Sequence, residues 1–175
     1  ISLPIEDAAG INDTFNIARQ VNKSHNLPWL YLCLLIYKLS KAQLNQFAFR
    51  LKIAGRLKNI LQDTIDIKEQ LPLLDNPQIT NSDIYHILLS RHPLAIQANI
   101  ISSQSLAPSL HLQLFLDKLR YVKPLLSGED IKQLGIPSGI KIGTTLQLLL
   151  KAKLNGEITT RQEEKKLVSR LYPTR

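Results

Sequence analysis

Apolar residues recur along most of the chain at the three- and four-residue spacing of amphipathic helices. No segment alternates apolar and polar residues over the length of a strand. The longest apolar run, residues 27–39, contains Lys38 and falls short of the roughly 20 residues that cross a bilayer. We therefore predict an all-α protein, an irregular bundle of about eight or nine helices with no sheet and no membrane contact.

Residues that cap or break helices place the predicted boundaries in the first half of the chain. A nearly all-apolar helix is predicted from Trp29 to Leu39, with Trp29 and Tyr31 as core anchors rather than base-stacking platforms. A further helix begins after Ser40, and its apolar stripe continues to Leu61. The opposite face is basic, and such a ridge either follows a phosphate backbone or is a solvated helix face. The basic residues are Lys38, Lys41, Arg50, Lys52, Arg56 and Lys58.

The second half of the chain shows the same kind of signals. Ser82 is predicted to cap a helix over residues 83–89. Proline residues open two further helices, over residues 93–103 and 108–119. Thr160 and Glu163 have the spacing of a capping box and predict a last helix at the end of the chain.

Residues 126–156 carry the most specific local signals. Ser127 and Asp130 have the spacing of a capping box with a carboxylate at its third position. Gly135 is a natural left-handed cap and Pro137 cannot continue a helix, so the helix that begins here ends after a few residues. The stretch therefore begins with a short helix followed by a tight, glycine-bearing turn.

A second, longer helix is predicted after this turn. Ser138 offers its N-cap, and apolar residues at helical spacing carry it to Asn155 and Gly156, which end it. These apolar residues are Ile142, Leu146, Leu149, Leu150 and Leu154.

The turn between the two helices has the properties of a phosphate-binding element. Gly135 and Gly139 allow close approach of a ligand, and Lys141 lies beside the free amide groups at the positive end of the second helix. Gly143 either lets the two helices pack closely or leaves room for a sugar–phosphate backbone. The alternative interpretation is a plain helical hairpin whose glycines only permit close packing.

The net charge of the chain is +8, and it is unevenly distributed. Residues 108–175 contain twelve Lys and Arg against six Asp and Glu, whereas residues 1–107 contain ten against eight. We predict a helical body over residues 1–106 and a basic helical tail over residues 107–175. The excess of basic residues favours a polyanionic partner such as RNA, and the alternative is a solvated lysine surface.

The order of residues from 126 to 164 resembles the C-terminal end of the bacterial tRNA nucleotidyltransferases, the CCA-adding enzymes and their poly(A) polymerase-like relatives. The segment 119–126 and, more weakly, the helices of residues 80–119 are also similar to that family. The family usually has a second Pro where Ser138 stands and often Pro where Ile140 stands, which loosens the turn but keeps its glycines. The matching residues are Leu126, Gly128, Asp130, Leu134, Gly135, Pro137, Gly139, Gly143, Leu154, Gly156, Glu157, Glu163 and Glu164.

This resemblance implies a cytoplasmic C-terminal body and tail whose partners are tRNA and the N-terminal catalytic head of the same parent chain. In that family the head adds nucleotides to the tRNA 3′ end with Mg and CTP or ATP. The chain contains neither a Gly-Gly-x-x-Arg segment nor an Asp-x-Asp pair, so we expect no catalytic residue and no cofactor within it. The expected phosphate contacts are Arg120, Lys123, Lys132, Gly135, Ser138, Gly139, Lys141 and Gly143.

Other chemistry has little support in the sequence. The histidines have no second ligand at metal-binding spacing, so no metal site is expected. Cys33, the single cysteine, lies in an apolar helix and is expected to be inert, as in a reducing compartment. Because the chain begins at Ile1 without Met, we expect a fragment or a processed product.

Two other functions remain open at this point. The helix–turn–helix element is also compatible with a helix-hairpin-helix-like module that grips duplex DNA through its phosphates. It is equally compatible with a protein-interaction module that binds no nucleic acid. Which nucleotides a parent enzyme adds, whether CCA, C, A or a poly(A) tail, depends on its head and neck and is not specified by these residues.

Overall fold

The structure is a computed structural model that describes residues 8–21, 27–137 and 139–172. These residues form ten α-helices and one short 3-10 helix, and they contain no strand, so the all-α prediction is confirmed. The helices are α1 (Ala8–Val21), α2 (Leu27–Leu35), α3 (Lys41–Arg50), α4 (Gly55–Leu74), α5 (Asn81–Leu88), α6 (Pro93–Ser102), α7 (Leu106–Asp117), the 3-10 helix (Leu119–Tyr121), α8 (Gly128–Gln133), α9 (Ile140–Leu154) and α10 (Arg161–Leu171).

The described residues form more helices than the eight or nine predicted, partly because the apolar stripe that follows Ser40 is not one helix. The chain leaves α3 at Leu51, and Lys52 has a φ of 53° that interrupts the helix before α4 begins. The prediction of a single helix is therefore wrong, and its basic residues do not form one ridge. Lys41 and Arg50 lie on α3, Arg56 and Lys58 lie on α4, and Lys38 and Lys52 lie outside both helices. The charge of Lys41 is also paired with acidic side chains, because its Nζ lies 2.9 Å from Asp66 and 2.7 Å from Glu69.

The capping predictions had mixed outcomes. The Ser40 cap is confirmed, since Gln43 N–H donates to Ser40 Oγ at 3.3 Å and Ser40 N–H donates to Gln43 Oε1 at 2.9 Å. The Ser82 cap is wrong. Thr80 takes this role, accepting from Asp83 N–H at 3.2 Å and donating its own N–H to the Asp83 carboxylate at 3.2 Å. Helix α5 therefore starts two residues earlier than predicted.

The chain divides into two compact units. The first contains residues 1–79 and 88–116, and the second contains residues 80–87 and 117–175. Residues 80–87 belong with the second unit because Asn81 Nδ2 donates to the Leu154 carbonyl and Ser82 N–H donates to Asn155 Oδ1, both at 3.0 Å. The body and tail predicted from charge, divided at residue 107, stay a prediction.

The core of the first unit is built where α2, α4 and α6 meet. Leu30, Leu61 and Ala98 are fully buried there. Trp29 and Tyr31 are partly buried and pack against this cluster, so their predicted role as core anchors is confirmed. None of the described helices reaches the length and apolarity required to cross a lipid bilayer.

Cys33 belongs to the same core. Its side chain is fully buried, and this burial raises the pKa of the thiol to about 11. The thiol is therefore protonated at neutral pH, which agrees with the predicted inertness, since the thiolate is the reactive form.

The second unit has its own core between α8, α9 and α10, and a buried carboxylate beside it. Glu164 is completely buried, and its carboxylate accepts the N–H groups of Leu125 and Leu126 at 2.8–2.9 Å and the Lys153 ammonium at 3.2 Å. These donors compensate for the loss of water around a buried charge. Glu164 thereby holds the segment before α8 in a defined position on α10. The core residues are Leu126, Ile131, Ile136, Leu149, Ala152, Ile158 and Val168.

Candidate nucleic-acid interface

Helix α8 begins with the capping box that the sequence predicts. Asp130 N–H donates to Ser127 Oγ at 3.2 Å, and Ser127 N–H donates to the Asp130 carboxylate at 2.8 Å. The bond from Ser127 N–H, followed by that from its hydroxyl, lowers the pKa of Asp130. Arg161 also donates to this carboxylate at 2.6 Å. The charge of Asp130 is therefore engaged by partners within the second unit.

The elbow, residues 134–139, joins α8 to α9. Gly135 has a φ of +88°, and its N–H donates to the Lys132 carbonyl at 2.8 Å while Ile136 N–H reaches the Ile131 carbonyl at 3.4 Å. This pair of bonds is the Schellman motif, which favours glycine at its left-handed position. Ile131 and Ile136 are buried in one cluster, so the elbow leaves α8 in a defined conformation.

Gly139 lies at the N-cap position of α9. Its φ of 111° and ψ of −145° are close to a region that essentially only glycine occupies. Gly139 supplies no side-chain cap to the helix, and the predicted cap, Ser138, lies outside the described residues. The first amide groups of α9 are at the positive end of the helix dipole, where an anion is stabilised.

The glycines of the elbow and of α9 are not required for packing. A Cβ at Gly135, Gly139 or Gly143 would meet no atom of the described residues within 4 Å, apart from those next to it in the chain or in its own helix backbone. The close approach between α8 and α9 is at Gly128, where a Cβ would lie 3.3 Å from Ile142 Cγ2. Of the two roles predicted for Gly143, close packing between α8 and α9 is therefore not supported, and room for a sugar–phosphate backbone stays a prediction.

The glycines of the elbow are accessible to solvent, and lysines lie on either side of the elbow. Gly135 and Gly139 are exposed, and Ile140 exposes 90% of its surface. Lys141 is exposed and has no ion-pair partner among the residues that the structure describes. Residues 131–156 contain four lysines and no Asp or Glu. An anion that approaches the elbow therefore meets no acidic residue of this stretch.

The other predicted contacts have different surroundings. Lys132 Nζ lies 3.0 Å from Glu129, an exposed pair of little energetic weight. Lys123 is exposed, and the Arg120 guanidinium lies over the ring of Tyr121, 4.6 Å from its centroid. No hydrogen bond or ion pair in the described part of the chain joins Arg120 or Lys123 to the elbow. Arg120 and Lys123 thus lie in the segment before α8, whereas the other predicted contacts lie on α8, the elbow and α9.

Three residues in this region were not assigned a role from the sequence. Tyr121 and Ile140 are exposed, whereas apolar periodicity predicts burial for such side chains. Glu164 is buried, whereas an acidic residue in an amphipathic helix is predicted to face water. In the sequence, only the match of Glu164 to the tRNA nucleotidyltransferase pattern indicates that this residue has a role. In the described part of the chain, no group of His, Cys, Asp and Glu side chains could hold a metal ion.

The described residues therefore define an all-α protein with an exposed, lysine-flanked helix–turn–helix elbow. The chain is 33% identical over 93 residues to an A-adding tRNA nucleotidyltransferase of Geobacter sulfurreducens. The match covers 53% of this chain and 11% of that relative, so the chain spans a small part of the relative's length. No protein-family model and no solved structure matches the chain. The partial identity loosely supports a relationship to the tRNA nucleotidyltransferases.

Proposed function

We propose that this chain is the tRNA-binding C-terminal region of a tRNA nucleotidyltransferase. In this proposal it grips the body of the tRNA through phosphate contacts while a catalytic head, outside these residues, adds nucleotides to the 3′ end. The observation that carries the proposal is the elbow with its exposed glycines, which have no packing partner among the residues that the structure describes. The partial identity to an A-adding tRNA nucleotidyltransferase supports the same assignment.

The phosphate contacts that we propose are of two kinds. Backbone groups at Gly135, Ser138 and Gly139 and the open surface of α9 at Gly143 admit the sugar–phosphate backbone closely. Lys141 supplies positive charge beside them, and further cationic contacts come from Arg120, Lys123 and Lys132. Phosphate contacts position an RNA without reading its sequence, so recognition rests on the shape of the tRNA.

Nucleotide addition belongs to the parent enzyme in this proposal. Its head would hold Mg and bind CTP or ATP, and this chain would contribute no catalytic group. Sequencing the gene on the 5′ side of the Ile1 codon tests this part directly. Asp-x-Asp and Gly-Gly-x-x-Arg motifs are expected there, and an upstream reading frame without them would contradict the assignment.

The salt dependence of tRNA binding tests the role of the elbow. The affinity of the full chain for a tRNA transcript is expected to fall steeply with salt, because each phosphate contact releases close to one counterion. Lys141→Glu is expected to weaken binding. It is also expected to lower the salt slope, the steepness with which the logarithm of the affinity falls with the logarithm of the salt concentration, by about one. Lys166→Glu is the matched control, since it makes the same charge change at an exposed position of α10.

Two outcomes would contradict the proposal. One is a tRNA affinity that does not change with salt, and the other is a Lys141→Glu variant that binds no worse than Lys166→Glu. Competition with a DNA duplex tests the helix-hairpin-helix alternative, which predicts that the duplex displaces tRNA. Absence of binding to any polyanion at low salt would favour the protein-interaction alternative.

A further inference from the structure

Tyr121 presents an aromatic ring to solvent at the end of the 3-10 helix. It exposes 62% of its surface, and among the described aromatic residues only Phe49 is more exposed. Other aromatic side chains lie in or against a core, as Phe15 and Tyr31 do in the first unit. An exposed ring of this size is an energetic cost to the isolated chain, since burial of apolar area is favourable.

The ring of Tyr121 is backed by a cation. The Arg120 guanidinium carbon lies 4.6 Å from the ring centroid, and Arg120 Nη2 also donates to the Tyr121 hydroxyl. Arginine stacks readily on aromatic faces, with a favourable cation–π contribution. Because the guanidinium lies over the ring while much of Tyr121 remains exposed, the pair offers a flat aromatic surface to a ligand.

The segment that carries this pair is held on both sides. Leu119 is 4% exposed and anchors the 3-10 helix, and Val122 N–H donates to its carbonyl at 3.0 Å. A few residues further on, the buried carboxylate of Glu164 accepts the N–H groups of residues 125–126. The backbone of Tyr121 is therefore in place before any ligand binds, which lowers the entropic cost of binding.

The surroundings of the ring are basic. Residues 118–123 contain Lys118, Arg120 and Lys123 and no acidic residue. Arg120 has no ion-pair partner among the described residues, so none of their carboxylates neutralises its charge. An aromatic face flanked by cations is the arrangement that binds an unpaired nucleotide, with its base on the ring and its phosphates beside the cations.

We propose that Tyr121, backed by Arg120, stacks on an unpaired base of the bound RNA, with Lys118 and Lys123 beside the adjoining phosphates. The inference rests on the proposed function and deepens it, because it assigns a stacking contact with a base to a region that otherwise contacts only the backbone. Every base has a π-face, so the contact tolerates any base identity.

Two substitutions in the full chain separate the effect of aromatic stacking from the effect of side-chain volume. Tyr121→Leu keeps apolar volume but removes the aromatic face, and it is expected to weaken binding to a tRNA transcript and to a short single-stranded oligoadenylate by about 5- to 100-fold. Tyr121→Phe keeps the face and is expected to bind within about twofold of the original chain. Binding to a blunt RNA duplex, which offers no unpaired base, is expected to be the same for all three proteins.

The controls distinguish this contact from charge and from folding. Tyr121→Leu is expected to leave the salt slope unchanged because the ring has no charge, whereas Lys123→Gln is expected to lower it by about one. Phe49→Leu removes the other highly exposed ring and is expected to leave all affinities unchanged. Equal thermal unfolding midpoints would show that Tyr121→Leu and Tyr121→Phe are folded alike.

The inference is overturned if Tyr121→Leu binds tRNA and oligoadenylate as tightly as the original chain. It is also overturned if the substitution weakens duplex binding to the same extent, since the ring would then act through the fold. Such results leave the proposed function intact provided that tRNA binding depends on salt and on Lys141. If the original chain binds no RNA at low salt, the proposed function and the stacking contact fail together.

Discussion

At the scale of single residues, Gly139 and Gly143 show two different reasons for a glycine. Gly139 adopts a backbone conformation close to one that is essentially limited to glycine. Gly143 lies within α9, where an alanine has ordinary helical geometry, and a Cβ there would meet no other side chain of the described residues within 4 Å. Backbone conformation therefore requires the first glycine but not the second, and we propose that the second leaves room for the RNA backbone.

This difference predicts opposite effects of two alanine substitutions on stability. Gly139→Ala is expected to destabilise the second unit by about 1–3 kcal/mol because of the strained backbone. Gly143→Ala is expected to stabilise it by about 0.5–1 kcal/mol because alanine favours a helix. Denaturant unfolding measures both free energies.

The tRNA affinity of the Gly143→Ala variant tests whether the open space at this position admits the RNA. Gly143→Ala is expected to bind tRNA more weakly although its fold is more stable, because the added methyl occupies the space left for the RNA backbone. Unchanged tRNA affinity in a stabilised Gly143→Ala variant would show that no ligand approaches this position.

At the scale of elements, capping boxes begin α3, α8 and α10, and they differ in the third residue of the helix. Helix α3 has Gln43, whereas α8 has Asp130 and α10 has Glu163. The side-chain amide of Gln43 accepts a hydrogen bond from the N-cap N–H at any pH. The carboxylates of Asp130 and Glu163 accept such bonds best when they are ionised. The backbone N–H groups of Thr159 and Thr160 lower the pKa of Glu163 from 4.5 to about 2.

The lowered pKa predicts an acid-dependent loss of stability. Because the folded state favours the ionised carboxylate, its contribution is complete above pH 4.5 and is lost as the pH falls towards about 2. Glu163→Gln keeps the box in the form found in α3 and is expected to lose less stability over that pH range. Denaturant unfolding at a series of pH values measures this. A Gln variant with the same pH dependence as the original chain would contradict the expectation.

The link between α10 and the segment before α8 depends on a buried carboxylate. Glu164→Ala would leave the Lys153 ammonium and the N–H groups of residues 125–126 without their acceptor. Removal of one partner from a buried pair typically costs about 3–5 kcal/mol, and we expect this loss in the second unit. Glu164→Gln retains an acceptor oxygen and is expected to cost less.

Hydrogen exchange with mass spectrometry locates the effect of Glu164→Ala. Protection of the amides at residues 125–126 is expected to decrease first. Retained protection there would show that the segment is held by the burial of Leu126 alone.

At the scale of the whole molecule, the chain forms two units, each with a core cluster of its own. Leu61 is fully buried in the first cluster and Leu149 in the second. Most of the positive charge belongs to the C-terminal part of the sequence, and so does the elbow. The proposed RNA contacts therefore lie in one unit and depend on its stability.

Separate cores predict separate responses to core mutations. Leu61→Ala and Leu149→Ala are each expected to cost about 2–5 kcal/mol, the range for a buried leucine truncation. In hydrogen exchange, Leu61→Ala is expected to lower protection mainly in the first unit, and Leu149→Ala mainly in the second unit, including residues 80–87. An equal loss of protection throughout the chain after either substitution would show that the chain unfolds as one cooperative body.

Local signals in the sequence predicted much of the fold. The capping boxes at Ser127 and Thr160 and the left-handed Gly135 lie where the pattern placed them, because their hydrogen bonds join residues a few positions apart. Prediction failed where neighbouring residues compete for one role. Thr80 and Ser82 can both cap a helix, and the bond from Asp83 N–H to Thr80 Oγ1 shows that Thr80 does.

By itself, the sequence determined the all-α class, the helix–turn–helix order of residues 126–156 and the basic character of the tail, since periodicity, capping and charge are properties of short segments. Only the tertiary structure decided that Gly143 has open space beside it, that Glu164 is buried against residues 125–126, and that Tyr121 is exposed. Burial and exposure depend on contacts between residues far apart in the chain. No local pattern specifies those contacts, and the proposed RNA contacts depend on them.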